Sequence, residues 1–153
     1  LKCIVKSVAE PEKTNKEKEM NTIATLTEKF PIGDLSHLDD IEIPVSSGPN
    51  AQGDLSWFPL RSGKVAGLKP IPQEGVVILS GNNGHPHTLF SLKGECSVAL
   101  NLTQEQRLAT VVVPEGAELL VAHNEHGYHV VGEGTFQFNC AFEYRTELRR
   151  LAD

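Results

Sequence analysis

The sequence lacks any apolar run long enough to cross a membrane as a helix, which excludes a helical membrane span. It is poor in cysteine. Cys3, Cys96 and Cys140 are odd in number and widely spaced, so a dense disulfide framework is excluded and a reducing, cytoplasmic setting fits. It has no basic excess: 14 Lys and Arg against 20 Asp and Glu give a net charge of −6 with His neutral. Gripping a phosphate backbone needs a basic surface, so a nucleic-acid partner is disfavoured. There are no heptads, internal repeats or long amphipathic helices, and no glycine loop is followed by Lys-Ser/Thr as a phosphate cradle requires. What is present is turn chemistry: 13 Gly and 9 Pro spread over 153 residues. That length suits one domain, with a core large enough to need no disulfide or metal staple.

Three regions differ in character. Residues 1–19 are almost wholly polar or charged from Glu10 to Glu19 and cannot bury enough surface to offset their ordering entropy. They read as a disordered tail or as translated leader, since Met20 is the only Met and Lys16-Glu17-Lys18-Glu19 precedes it. Neither is a secretion signal. Residues 20–51 form an N-terminal arm with a weak pattern, lying on the domain or on a neighbouring subunit. Within it Ile41-Glu42-Ile43-Pro44-Val45 alternates as a short strand, ended by the turn cluster Ser46-Ser47-Gly48-Pro49-Asn50.

Residues 52–153 read as the β domain. Leu55–Leu60, Val76–Leu79, His85–Leu92, Cys96–Leu102, Leu108–Val113 and Leu119–His123 are strand candidates. Gly81-Asn82-Asn83-Gly84, Pro114-Glu115-Gly116, Asn124-Glu125-His126-Gly127 and Gly132-Glu133-Gly134 are turns. Thr135–Tyr144 alternates most clearly, with Phe136, Phe138, Cys140, Phe142 and Tyr144 on one face. Thr146–Ala152 reads as a short charged helix. The pattern predicts a mainly β chain, a small antiparallel sandwich or barrel with a short C-terminal helix.

Five of the six histidines lie between positions 85 and 129. In His85-Pro86-His87 the two imidazoles project to the same strand face with Cα atoms ~6.6 Å apart, a spacing that lets both reach one ion. Pro86 removes a ladder donor and marks an edge or a strand entry. His123 and His126 flank a tight turn and supply a third and fourth nitrogen if the two segments pair. Imidazoles without thiolates suit Zn, Fe, Ni or Cu, and Glu125 is a further ligand or a group orienting one of the histidines. Cys96 and Cys140 read as small core residues.

Two resemblances follow from these residues. Gly81 to Gly84 with His85 and His87 resembles the first motif of the cupin superfamily, and Val113-Pro114-Glu115-Gly116 with His123 resembles the second. The resemblance implies a jelly-roll barrel holding a metal. The acid of the first motif is expected a few residues past His87, where this chain has Ser91 and Leu92, with Glu95 the nearest. Gln52-Gly53-Asp54, Gly84-His85-Pro86-His87, His123-Asn124-Glu125-His126-Gly127 and Glu143-Tyr144-Arg145 together resemble small bacterial or phage-associated proteins without an established activity.

Two functions are therefore expected. One is a metal-binding β domain holding a divalent transition metal (Zn, Fe, Ni or Cu) through His85, His87, His123 and His126 with Glu125, its reaction unspecified. The other is a metal-free structural or interaction module of phage or mobile-element origin, compatible with a homo-oligomer. They separate on geometry: the metal reading needs residues 85–87 and 123–126 to be neighbours with nitrogens converging, and the module reading has the side chains pointing apart.

Overall fold

The computed structural model describes residues 21–31, 41–61, 63–80, 85–101, 106–144 and 148–150, with side chains in residues 142–150 outside the description. The proposed tail or leader at 1–19 and the glycine turn at 81–84 lie outside the described residues.

In chain order the elements are helix α1 (Ile23–Lys29) and strands β1 (Val45–Ser46), β2 (Asn50–Gln52), β3 (Leu55–Pro59), β4 (Lys69–Pro70), β5 (Val76–Ser80), β6 (Pro86–Lys93), β7 (Ser97–Leu100), β8 (Arg107–Val113), β9 (Glu118–His123), β10 (Gly127–Val131), β11 (Gly134–Cys140), β12 (Phe142–Tyr144) and β13 (Leu148–Arg150). A first sheet has the order β1-β10-β9-β6-β5 and a second the order β2-β3-β11-β8-β7-β4. All neighbours in them are antiparallel except β1 and β10. Hairpins β5–β6, β7–β8 and β9–β10 each stay within one sheet. Among the described residues neither of these two sheets closes on itself, so the chain is mainly β with two main sheets and a small β12–β13 pair rather than a closed barrel.

Period-2 alternation builds the core. Leu89, Leu119 and Val121 of the first sheet meet Leu55, Trp57, Val111, Phe136 and Phe138 of the second, all of them buried. The opposite face of the first sheet is apolar too, and α1 covers it: Ile23 and Leu26 pack with Leu120, Ala122, Tyr128 and Val130, flanked by Phe30 and Phe90. The arm thus lies on its own domain. Thr22 caps α1 by accepting from the Thr25 amide at 3.2 Å, and the Tyr128 hydroxyl donates to the Phe30 carbonyl at 2.6 Å, closing the far end. Burial raises the Tyr128 pKa, and a hydrogen bond to Thr27 partly offsets this.

Three expectations are corrected. Residues 148–150 form a strand paired with β12 instead of a C-terminal helix. A seven-residue helix is marginal by itself, whereas a preceding strand offers partners for its backbone. The long strand expected over 135–144 breaks at Ala141, whose amide donates to the Asp54 carbonyl at 2.8 Å. The strand expected at 41–45 reduces to Val45–Ser46, with Glu42 bridging to Thr22. Of the two readings of Pro86, strand entry holds, since Pro86 opens β6, and the edge alternative falls because β6 lies between β9 and β5.

Candidate functional site

β6 and β9 run antiparallel with Thr88 opposite Ala122, so His85 and His87 lie beside the His123 turn at one end of the sandwich. The β9–β10 loop spans three residues between His123 and Gly127, and Gly127 adopts φ +78°, as the last position of such a hairpin requires. The sequence brings these histidines together as expected. How the rings are held is a separate matter.

His87 and His123 are both 0 % exposed. His87 is gripped at both nitrogens, with Nδ1 3.0 Å from Gln52 Oε1 and Nε2 3.0 Å from Asp54 Oδ1. The Gln52 amide nitrogen donates to the carbonyls of Val121 at 3.2 Å and Gly127 at 3.1 Å, so its oxygen faces His87. His87 Nδ1 must therefore carry a proton and donate it. His87 Nε2 and Asp54 Oδ1 face each other at 3.0 Å with both side chains buried.

Gln52 ends β2, and Asp54 sits in the β2–β3 turn, where Gly53 takes φ +59° at the first central position. Both residues are buried and both belong to the second sheet, whereas His87, Val121 and Gly127 belong to the first. The network is a polar clamp joining the two sheets where the apolar core ends. Gln52 and Asp54 were not assigned a role from the sequence. Their signal was two polar residues flanking a turn glycine, and nothing local says that both side chains turn inward.

His123 is held differently. Its Nδ1 accepts from the backbone amides of Glu125 at 3.1 Å and His126 at 3.2 Å, capping the turn that follows it. An accepting Nδ1 places the ring proton on Nε2. The His123 ring lies against His87, with centroids 4.2 Å apart and 28° between planes, and against exposed His126 at 4.6 Å and 25°. His85 stands at the rim, 6.3 Å from His123 between centroids. Its Nδ1 meets the Asn124 amide and lies 4.0 Å from Glu125 Oε1.

Beside this cluster His129 meets Trp57 edge-on at 5.4 Å and lies 3.4 Å from the Asn50 amide through Nδ1. Burial lowers its pKa first, and the neighbouring His126 charge lowers it further. Cys96 and Cys140 are core residues as expected, and burial pushes the Cys96 thiol pKa up, away from the reactive thiolate.

A ligating imidazole holds its ion in the ring plane and usually donates its other N–H to a partner. His87 spends both nitrogens on Gln52 and Asp54. His123 accepts where a ligand would donate. Rings lying face on face direct their lone pairs side by side and not at one point. Among the described residues no group of three or more His, Cys, Asp or Glu is arranged to hold a metal ion.

Residues 51–140 match a family described as a domain of unknown function (DUF8820), and the chain belongs to that family. No curated protein and no solved structure matches the chain.

Proposed function

We propose that this member of the DUF8820 family is a metal-free interaction module, in which the histidine cluster serves as structure. The observation that carries this reading is the double grip on His87: a ring held at both nitrogens by Gln52 and Asp54 has no lone pair left for an ion or a substrate. The capping role of His123 Nδ1 and the buried thiol of Cys96 support it. The strand order favours a sandwich of stacked hairpins over the cupin jelly roll, because in a jelly roll successive strands mostly alternate between sheets.

The test is elemental mass spectrometry on tag-free protein after exposure to Zn, Fe, Ni and Cu. The expected result is metal far below one ion per chain, with the thermal midpoint unmoved by chelator. Near-stoichiometric metal that disappears in a His85→Ala/His87→Ala variant would overturn the proposal. It would establish the metal reading through His85, His87, His123, His126 and Glu125, with the clamp opening to release its rings.

A further inference from the structure

We infer that the outer edge of β5 takes an extended peptide of another protein as an added strand. The inference gives the class of partner for the module proposed above and rests on that reading.

β5 is the last strand of the first sheet and pairs with β6 alone among the described residues. Backbone N–H and C=O groups of an antiparallel strand point alternately to its two sides. The outer side of an edge strand is therefore a row of donors and acceptors that another extended backbone matches group for group. The edges of the two main sheets differ in how open they are to this. β1 and β4 are two residues each, and β4 consists of Lys69 and Pro70, residue types that blunt an edge. β2 has three residues, Asn50–Gln52. β5 has five, Val76–Ser80, without charge or proline. A bulge between Val77 and Leu79 is its one interruption. Such a bulge suits a short partner and works against runaway pairing of edges.

A cavity opens on each face of this strand. On the core side about 330 Å³ lies at the margin between the two sheets, lined by Val76, Val98 and Leu100 with Lys69 and Pro70. On the outer face about 430 Å³ is lined by Val77, Thr88 and Phe90 with Glu74. Val77 is 53 % and Leu100 49 % exposed, so apolar surface faces solvent on both sides of the edge. Successive side chains of a strand point to opposite faces. A strand laid along β5 sends alternate side chains toward the two cavities, and apolar ones suit both linings. Main-chain bonds to a sheet edge, with pockets for alternate side chains, are how strand addition combines affinity with specificity.

Three features choose the occupant. A small ligand fills one cavity and leaves the edge unmatched. A second copy offers its own β5, whose Ile78 and Leu79 already belong to its core and are not available to enter these cavities. Pairing along the five residues of β5, ~17 Å of strand, also buries far less than the roughly 1,200–2,000 Å² of a stable interface between folded copies. A lone strand has both sets of side chains to give. Charge adds a preference: an acidic residue beside Lys69 at the core-side cavity and a basic one beside Glu74 at the outer one.

The experiment is selection of short random displayed peptides against the full chain, followed by fluorescence anisotropy of the strongest one as a synthetic peptide. Enriched sequences should carry apolar residues at every second position. N-methylation of alternate peptide bonds should abolish binding in one phase and spare it in the other, because one set of amides faces β5. Val77→Lys and Leu100→Lys should each weaken binding by about tenfold or more, since a charge is set on either side of the edge. Phe58→Lys, on the other sheet, should leave it unchanged. The thermal midpoint reports folding, and the methylated peptides keep the test decisive if a variant unfolds, because they leave the protein untouched. No enriched peptide, or binding indifferent to methylation phase or to both edge variants, overturns the inference and leaves the metal-free reading standing. A dimer in sedimentation velocity that Val77→Lys dissolves puts a second copy on the edge and overturns it as well. Peptide binding that EDTA abolishes overturns the metal-free reading itself.

Discussion

The two sheets share one core and differ on their outer faces. On the first, the outward residues of β9 and β10 are Leu120, Ala122, Tyr128 and Val130, all buried because Ile23 and Leu26 of α1 lie over them. On the second, the outward residues of the central strands are mostly small or polar and uncharged except Arg107 at a corner, with Phe58 exposed and Thr110 bonded to Gln137 across the strands. The same period-2 backbone thus supports two solutions. An apolar outer face must be covered by the chain's own helix, whereas a polar one tolerates water. The Gln52–Asp54–His87 clamp ties the two sheets together at the histidine end.

The largest break is expected at that clamp. Asp54→Ala removes one partner of a buried pair and should destabilise the fold by about 3–5 kcal/mol, with Asp54→Asn costing clearly less because an amide still bonds His87. Urea denaturation with an unchanged slope checks both. If Asp54→Ala falls within experimental error of wild type, the two sheets are not joined there.

The comparison of faces is sharpened by a pair of variants. Leu26→Ala, at a residue 1 % exposed under the first sheet's cover, should cost about 2–5 kcal/mol. Ser97→Ala, on the second sheet's outer face, should stay within about 0.5 kcal/mol of wild type. Equal losses would mean that the second face is also covered from within the chain.

The smallest effect is a pH dependence. The folded-state pKa of His129 lies below the ordinary histidine value of 6.5, by burial first and by the His126 charge second. The unfolded chain therefore takes up this proton before the folded one. The contribution is complete above pH 6.5 and declines as the pH falls from there through the lowered value. His129→Gln should flatten that limb of a stability–pH curve, and an unchanged slope would remove His129 as its source.

Several elements were legible in the residues. The alternation of Phe136, Phe138 and Cys140 announced a half-buried strand, and all three are in the core. The strand candidates beginning at Leu55, Val76 and Leu119 fall where β3, β5 and β9 lie. Others were hidden. β10 was missed because Tyr128 and Val130 serve the helix side while His129 and Val131 face the other way, which blurs any simple alternation. α1 was missed because Ile23 and Leu26 give a stripe of two residues in a helix of seven, too short for a periodicity to register. The helix stands because the first sheet offers it an apolar face, and that offer comes from residues about 100 positions away.

The sequence by itself determined a mainly β chain, the turns between its strands, and the gathering of histidines once β6 and β9 paired, because alternation and turn chemistry act over a few residues. Only the tertiary structure decided how those histidines are held. His87 meets Gln52 and Asp54 across the sandwich, 35 and 33 positions away in the chain. The role of a buried imidazole is set by the groups its two nitrogens meet, and those groups come from the opposite sheet.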